Sequence, residues 1–274
     1  MTAAITNTAQ GRLPGTATLL GAQIRYHSRL LLASGRALAV GFGLPIILLV
    51  ASHGKGTHPN VAGYAVFGLT IIVWTSYGVR LVADREAGIL KRWRATPLPR
   101  WCYFVGRIAA SALVGVMAGA VTVAAAVLFY GTHFGDGPGT HLSWMAALAI
   151  LAALALAAFA WAATATAVTS IIPTVEAAAP ILMLTYFPII IISGVLGTIS
   201  EPHWLSTLAT YLPAQPLIDA MTQAVRHTPG AALLPARDVI VLACWAVGGL
   251  LAAVLLFKWE PHRPTRRRGA RAKP

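Results

Sequence analysis

Six long runs of uncharged, mostly apolar residues alternate with shorter polar stretches along the chain, at 37–52, 61–79, 108–130, 142–172, 177–199 and 239–257. A helix rises about 1.5 Å per residue, so runs of this length match a hydrocarbon core about 30 Å thick. The shortest, 37–52, spans only if it starts earlier, with Arg36 reaching back to the headgroups. The run 142–172 is long enough to extend beyond one leaflet. The pattern predicts an all-α membrane protein with six transmembrane helices in one domain, 1–258, followed by a basic tail, 259–274.

Three segments outside these runs carry patterns of their own. In 16–36, Leu20, Ile24 and Leu31 fall on one helical stripe, and Arg25, Arg29 and Arg36 lie roughly opposite. That is the pattern of an amphipathic helix resting in the inner headgroup layer. In 84–99, reading DREAGILKRWRATPLP, Ile89, Leu90 and Trp93 form a small apolar face on a strongly charged helix that Pro97 and Pro99 stop. Such a face needs membrane or another protein to rest on. The third, 200–238, holds Trp204, Leu205, Leu208, Tyr211 and Leu212 around Pro202 and Pro213. It predicts a short helix that re-enters the outer leaflet or lies on its surface.

Composition agrees with the bilayer as solvent. Of 274 residues, 57% are hydrophobic and 11% charged, against about a quarter charged in a soluble domain. Mean hydropathy is +0.70. The net charge of +13 is distributed as a topology signal and not as a nucleic-acid groove. Counting alternate sides of the six runs, eighteen Lys and Arg fall on the side of both termini and three on the other. Both termini are therefore expected in the cytoplasm, with the chain in the cytoplasmic membrane. No secretory signal is recognisable ahead of the first run, and Cys102 and Cys244 imply no disulfide framework.

Catalytic chemistry is not evident. There is no G-x-x-x-x-G-K-[ST], and HGKGTHPN around Lys55 lacks its spacing. The histidines are scattered without a completing Cys or acidic pair, so no metal site is expected. No charged side chain lies well inside a run. Glu176 sits in a nearly neutral loop between Pro173 and Pro180, where it is either a proton carrier or a first-turn carboxylate facing a helix dipole.

Three features together resemble the permease subunits of type-2 ABC exporters, the group that includes daunorubicin-resistance and polysaccharide-export permeases. They are the amphipathic helix feeding the first span, the segment DREAGILKRWRATPLP after the second, and FPIIIISGVLGTISEPHWLSTLATYLPAQPLIDAM, which carries Ser193-Gly194, Pro202 and Pro213 in that family's order. The resemblance implies a pathway formed with a second permease copy, identical or related, embedded in membrane lipid. It also implies a separate ABC ATP-binding subunit that holds ATP and Mg, leaving this chain with no cofactor and no enzymatic role. Asp84, Gly88 and Pro97 then belong to an ATPase-coupling segment in which Arg85, Glu86, Lys91, Arg92 and Arg94 make charged contacts and Trp93 anchors. Pro180, Pro188 and Gly194 would let span five bend, and the segment from Ser193 past Pro202 and Pro213 would gate release. The cargo expected is hydrophobic or amphipathic, such as a drug, an antibiotic or a lipid-like compound. A carrier driven by an ion gradient, requiring Glu176, and a non-transporting assembly factor or lipid enzyme are the competing readings.

Overall fold

The computed structural model describes residues 15–52, 60–89, 100–131, 142–197, 202–226 and 232–256, and these are helices and turns with no strand among them. The helices are α1 (Thr16–Leu32), α2 (Gly35–Ser52), α3 (Val61–Glu86), α4 (Arg100–Tyr130), α5 (Trp144–Thr169), α6 (Val175–Ile192), α7 (His203–Ala209), α8 (Gln215–Arg226) and α9 (Ala236–Leu256). Six of them, α2 to α6 and α9, are long and apolar enough to cross a membrane. Spans two and three exceed the uncharged runs that announced them. α3 continues to Glu86, and α4 begins at Arg100. The expected separate helix over 84–99 is corrected in its first turn: Asp84, Arg85 and Glu86 are the last turn of α3.

Local chemistry sets the helix ends. The Asn60, Ser143 and Thr174 side chains accept from Gly63 N (2.9 Å), Ala146 N (3.1 Å) and Ala177 N (3.4 Å), capping α3, α5 and α6. α3 stops because Gly88 takes φ +69°, a left-handed conformation open to glycine, while its N–H returns to Arg85 O. Gly194 does the same for α6 at φ +65°, with Val195 N bonding back to Ile190 O. Gly194 therefore terminates the fifth span, where the sequence suggested a bend within it.

α3 is the centre of the bundle, packed against α2, α4, α5, α6 and α8. Small residues let the backbones approach. Gly115 and Gly119, one turn apart on α4, leave no room for a Cβ: it would lie 2.8 Å from Val73 Cγ1 at the first and 2.9 Å from Leu154 Cδ2 at the second. At Gly249 of α9 a Cβ would meet Thr164 N of α5 at 2.7 Å. Two π-helical turns, Ala39–Gly43 in α2 and Ile71–Ser76 in α3, touch where a Cβ on Gly41 would overlap Ile72.

α1 folds as an amphipathic helix with Arg25 and Arg29 exposed as expected, but it stops at Leu32, short of the expected 36: Ser34 caps α2, and Arg36 is exposed in the first turn of that helix. The apolar stripe of α1, however, faces protein. Leu31 is buried, Leu20 and Ile24 are half-buried, and the helix packs along α4 with Ser28 Oγ donating to Ala110 O at 3.5 Å. At the other end of the bundle α7 rests on α6, while α8 buries Leu217, Ala220, Met221 and Ala224 against α5, α9 and α3. Trp245 Nε1 donates to Tyr211 O at 2.8 Å and Arg237 Nη2 to Thr210 Oγ1 at 2.6 Å, fixing the α7–α8 turn to α9.

Candidate functional site at the end of the second span

At the basic end of the bundle α5 ends and α6 begins, joined by a short turn. The last carbonyls of one helix and the first N–H groups of the next are left without helical partners. The carbonyl end carries negative partial charge and the N–H end positive. The sequence supplies adjacent residues of matching sign on α3. The Arg85 guanidinium donates to Thr169 O (3.0 Å), Ser170 O (3.3 Å) and Ile172 O at the end of α5. Glu86 Oε2 accepts from Val175 N, the first residue of α6, at 2.8 Å. Neighbouring side chains on one helix thus close the loose ends of two consecutive helices.

Asp84, one residue earlier, turns to α4. Its Oδ2 lies 2.6 Å from Arg107 Nη1, and Arg107 is 2% exposed against 18% for Asp84. The Arg107 guanidinium also donates to the Tyr103 hydroxyl and lies 5.5 Å and 5.9 Å from the ring centroids of Tyr103 and Tyr77. Tyr77 is hydrogen-bonded in turn to Thr166 of α5 at 2.8 Å. One turn further back, Arg80 Nη1 donates to Leu30 O at the end of α1 (2.9 Å). The last two turns of α3 therefore hold α1, α4, α5 and α6 by polar contacts.

His27 of α1 is buried beside this cluster, its ring edge-on to Tyr103 at 5.9 Å. Burial, together with the nearby Arg107 and Arg80 cations, pushes its pKa down to about 3, so the imidazole is neutral.

Of the residues the sequence assigned to coupling, Asp84, Arg85 and Glu86 come together here, but they face neighbouring spans. Arg85 is 2% exposed and committed to α5, where sequence reasoning gave it an external contact. Gly88 ends the helix immediately after. Lys91, Arg92, Trp93, Arg94 and Pro97 lie outside the described residues. Pro180 and Pro188 sit inside α6 on the outward face with Leu184 and Phe187, five and thirteen residues beyond Val175 and outside the polar contacts of this junction. Ser193 is buried at the end of α6, Pro202 precedes α7, and Pro213 is buried in the turn before α8. Glu176 is exposed in the first turn of α6.

Sequence reasoning missed Arg80, Tyr103 and Arg107. Arginines at span edges were counted as topology signals, and the third span was begun one residue after Arg107. The available signal was the i, i+4 spacing of Tyr103 and Arg107 on a helix that otherwise runs apolar.

No curated protein matches the chain. The family described as ABC-2 family transporter protein matches residues 42–255, from the middle of α2 to the last turn of α9, and takes in the α3 junction. The chain belongs to this family of membrane transport proteins.

Proposed function

We propose that the chain is the membrane-spanning permease subunit of an ATP-driven exporter, powered by a separate subunit that binds ATP and Mg. The basic end of the bundle faces the cytoplasm, a placement supported by the bias of eighteen Lys and Arg against three. The observation that carries the reading is the junction at the end of α3. Segment 90–99, with Trp93 and its basic neighbours, follows directly on the turn that grips four other helices. A partner that seats Trp93 in a cleft and pairs with Lys91, Arg92 and Arg94 moves α3 when it closes on ATP. Asp84, Arg85 and Glu86 then pass that displacement to α4, α5 and α6. Their role is to position the helices, with Trp93 and the basic run making the external contact.

A second permease subunit, a copy of this chain or a related one, completes the pathway. The cargo is hydrophobic or amphipathic, a reading supported by the apolar outward face of α6 formed by Pro180, Met183, Leu184, Phe187 and Pro188. Arg25 and Arg29, exposed on α1, and Arg36, exposed at the start of α2, face lipid headgroups.

The test is to purify the tagged chain from its native host in mild detergent and identify what accompanies it. A near-stoichiometric protein with Walker motifs is expected. Trp93→Ala should then loosen the complex or separate ATP hydrolysis from transport, and coupling unchanged by that substitution would refute the assignment. Transport should be sensitive to vanadate and tolerate Glu176→Gln. Loss of activity on that substitution would favour an ion-driven carrier.

A further inference from the structure

α3 and α6 run antiparallel and are tied by polar contacts along their length. At the basic end the tie is Glu86 to Val175 N (2.8 Å). Within the apolar zone, Trp74 Nε1 donates to Leu182 O (2.9 Å), and the hydroxyls of Thr70 and Tyr186 share a hydrogen bond (2.9 Å). At the far end Asn60 Nδ2 donates to Gly194 O and Val195 O, both at 3.3 Å. The residues between Asn60 and Glu86 form a helix of 26 residues, roughly 39 Å at 1.5 Å per residue, which approaches the full thickness of a bilayer with its headgroups.

The contacts in the middle are of a kind that resists sliding. Trp74 and Tyr186 are almost fully buried, so breaking either bond strands a polar group where no water replaces it. Phe67 and Trp161 pack against the same Tyr186 ring, with centroids 6.4 Å and 6.3 Å away. At the far end the helices meet backbone to backbone: a Cβ on Gly63 would lie 2.2 Å from Val195 O. α6 therefore cannot shift along α3 without losing contacts at four levels.

We propose that α3 and α6 move as one stiff pair, and that Asn60 is the positioning residue that delivers movement of the α3 junction to the Gly194–Val195 turn and on to the α7 segment. This rests on the transport reading above. Asn60 is suited to the task because its two side-chain atoms have separate duties. Oδ1 caps α3 at Gly63 N, and Nδ2 holds the end of α6. Pro180 and Pro188 lie between the tied ends of α6, so flexing at either leaves both ends following α3.

The two duties separate by mutation. Asn60→Ser keeps a side-chain oxygen able to cap α3 but is too short to reach Gly194 O. Asn60→Asp keeps the cap and sets a carboxylate against two carbonyls. The complex with its ATP-binding subunit is reconstituted in a Cys244→Ser background, with a reporter cysteine at Ala87 (junction) or Ser206 (α7), both exposed. Labelling by a water-soluble maleimide is timed without nucleotide and after trapping with ATP, Mg and vanadate.

In the parent, both reporters should change labelling rate on trapping by roughly threefold or more, as expected when a population shifts between two states. In Asn60→Ser and Asn60→Asp the Ala87 response should persist and the Ser206 response should disappear, with ATP hydrolysis retained. A Ser206 response of parental size in both variants overturns the inference and leaves the transport reading standing. A parent whose Ala87 reporter ignores nucleotide overturns the transport reading, and the inference with it.

Discussion

Removing either partner of the Asp84–Arg107 pair should have unequal costs, because the two are unequally buried. Arg107 is 2% exposed and Asp84 18%. Asp84→Ala leaves a cation inside the bundle whose remaining company, among the described residues, is the Tyr103 hydroxyl and two ring faces. Stranding a buried charge costs about 3–5 kcal/mol, and the remaining tyrosine contacts place this case near about 3. Arg107→Met leaves a carboxylate that can rehydrate, so the loss there is about 2 kcal/mol, mostly packing and ring contacts. The double substitution strands neither charge. It should cost little more than Arg107→Met alone, giving a coupling energy of about 2–3 kcal/mol. At roughly 2–4 °C per kcal/mol for a chain of this size, Asp84→Ala should lower the melting temperature by about 6–12 °C. The assay is thermal unfolding of detergent-purified protein followed with a thiol-reactive dye. Buried Cys102 reports unfolding once exposed Cys244 has been replaced by Ser. Strictly additive single and double shifts, or a fall no larger than that of exposed Arg29→Ala, would refute the claim that this pair ties α3 to α4.

Arg85→Lys keeps the charge but has no planar fork to reach three carbonyls, so it should cost about 2 kcal/mol in the same melting assay, and a neutral result would remove Arg85 as the cap on α5. The adjacent glycines of α9 should diverge. Gly249→Ala forces a Cβ to 2.7 Å from Thr164 N and should cost about 1–3 kcal/mol, whereas Gly248→Ala meets nothing within 4 Å and should be neutral or slightly stabilising. His27 binds protons more weakly in the fold than its ordinary 6.5, with a folded value of about 3. The stability this residue confers is complete above about 6.5 and is lost as pH falls from there toward about 3. Melting temperature should accordingly fall on acidification across that window, and less steeply in His27→Gln; identical slopes would show that His27 is not buried neutral.

The six spans were legible because the bilayer imposes a long uncharged run on each, and the exposed arginines of α1 were legible because a 3.6-residue period sorts them from Leu20, Ile24 and Leu31. What covers that apolar stripe was not legible. A moment gives a direction, and protein and lipid satisfy it equally. The helix ends were misplaced for a related reason. A charged residue stops a hydropathy run, yet Arg85 and Arg107 stay inside helices because their partners sit on other spans. Thr169 and Val175 lie 84 and 89 residues from Arg85 and Glu86, a separation at which no local pattern operates. The π-helical turns in α2 and α3 left no readable trace, since one extra residue in a uniformly apolar stretch changes no period that can be counted.

The α3 junction also carries an order of construction. Asp84 is synthesised before Arg107, Arg85 before Thr169 and Glu86 before Val175, at separations of 23, 84 and 89 residues. At 5–20 residues per second, Arg107 emerges about 1–5 s after Asp84, and Thr169 and Val175 about 4–18 s after Arg85 and Glu86. Until its own partner arrives, each of these three charges at the tip of a newborn span must stay wetted at the headgroups, which holds the tip at the surface. α3 is thereby kept at the right depth until its neighbours arrive. The same residues then close in a fixed sequence, first onto α4, then onto α5, and onto α6 last.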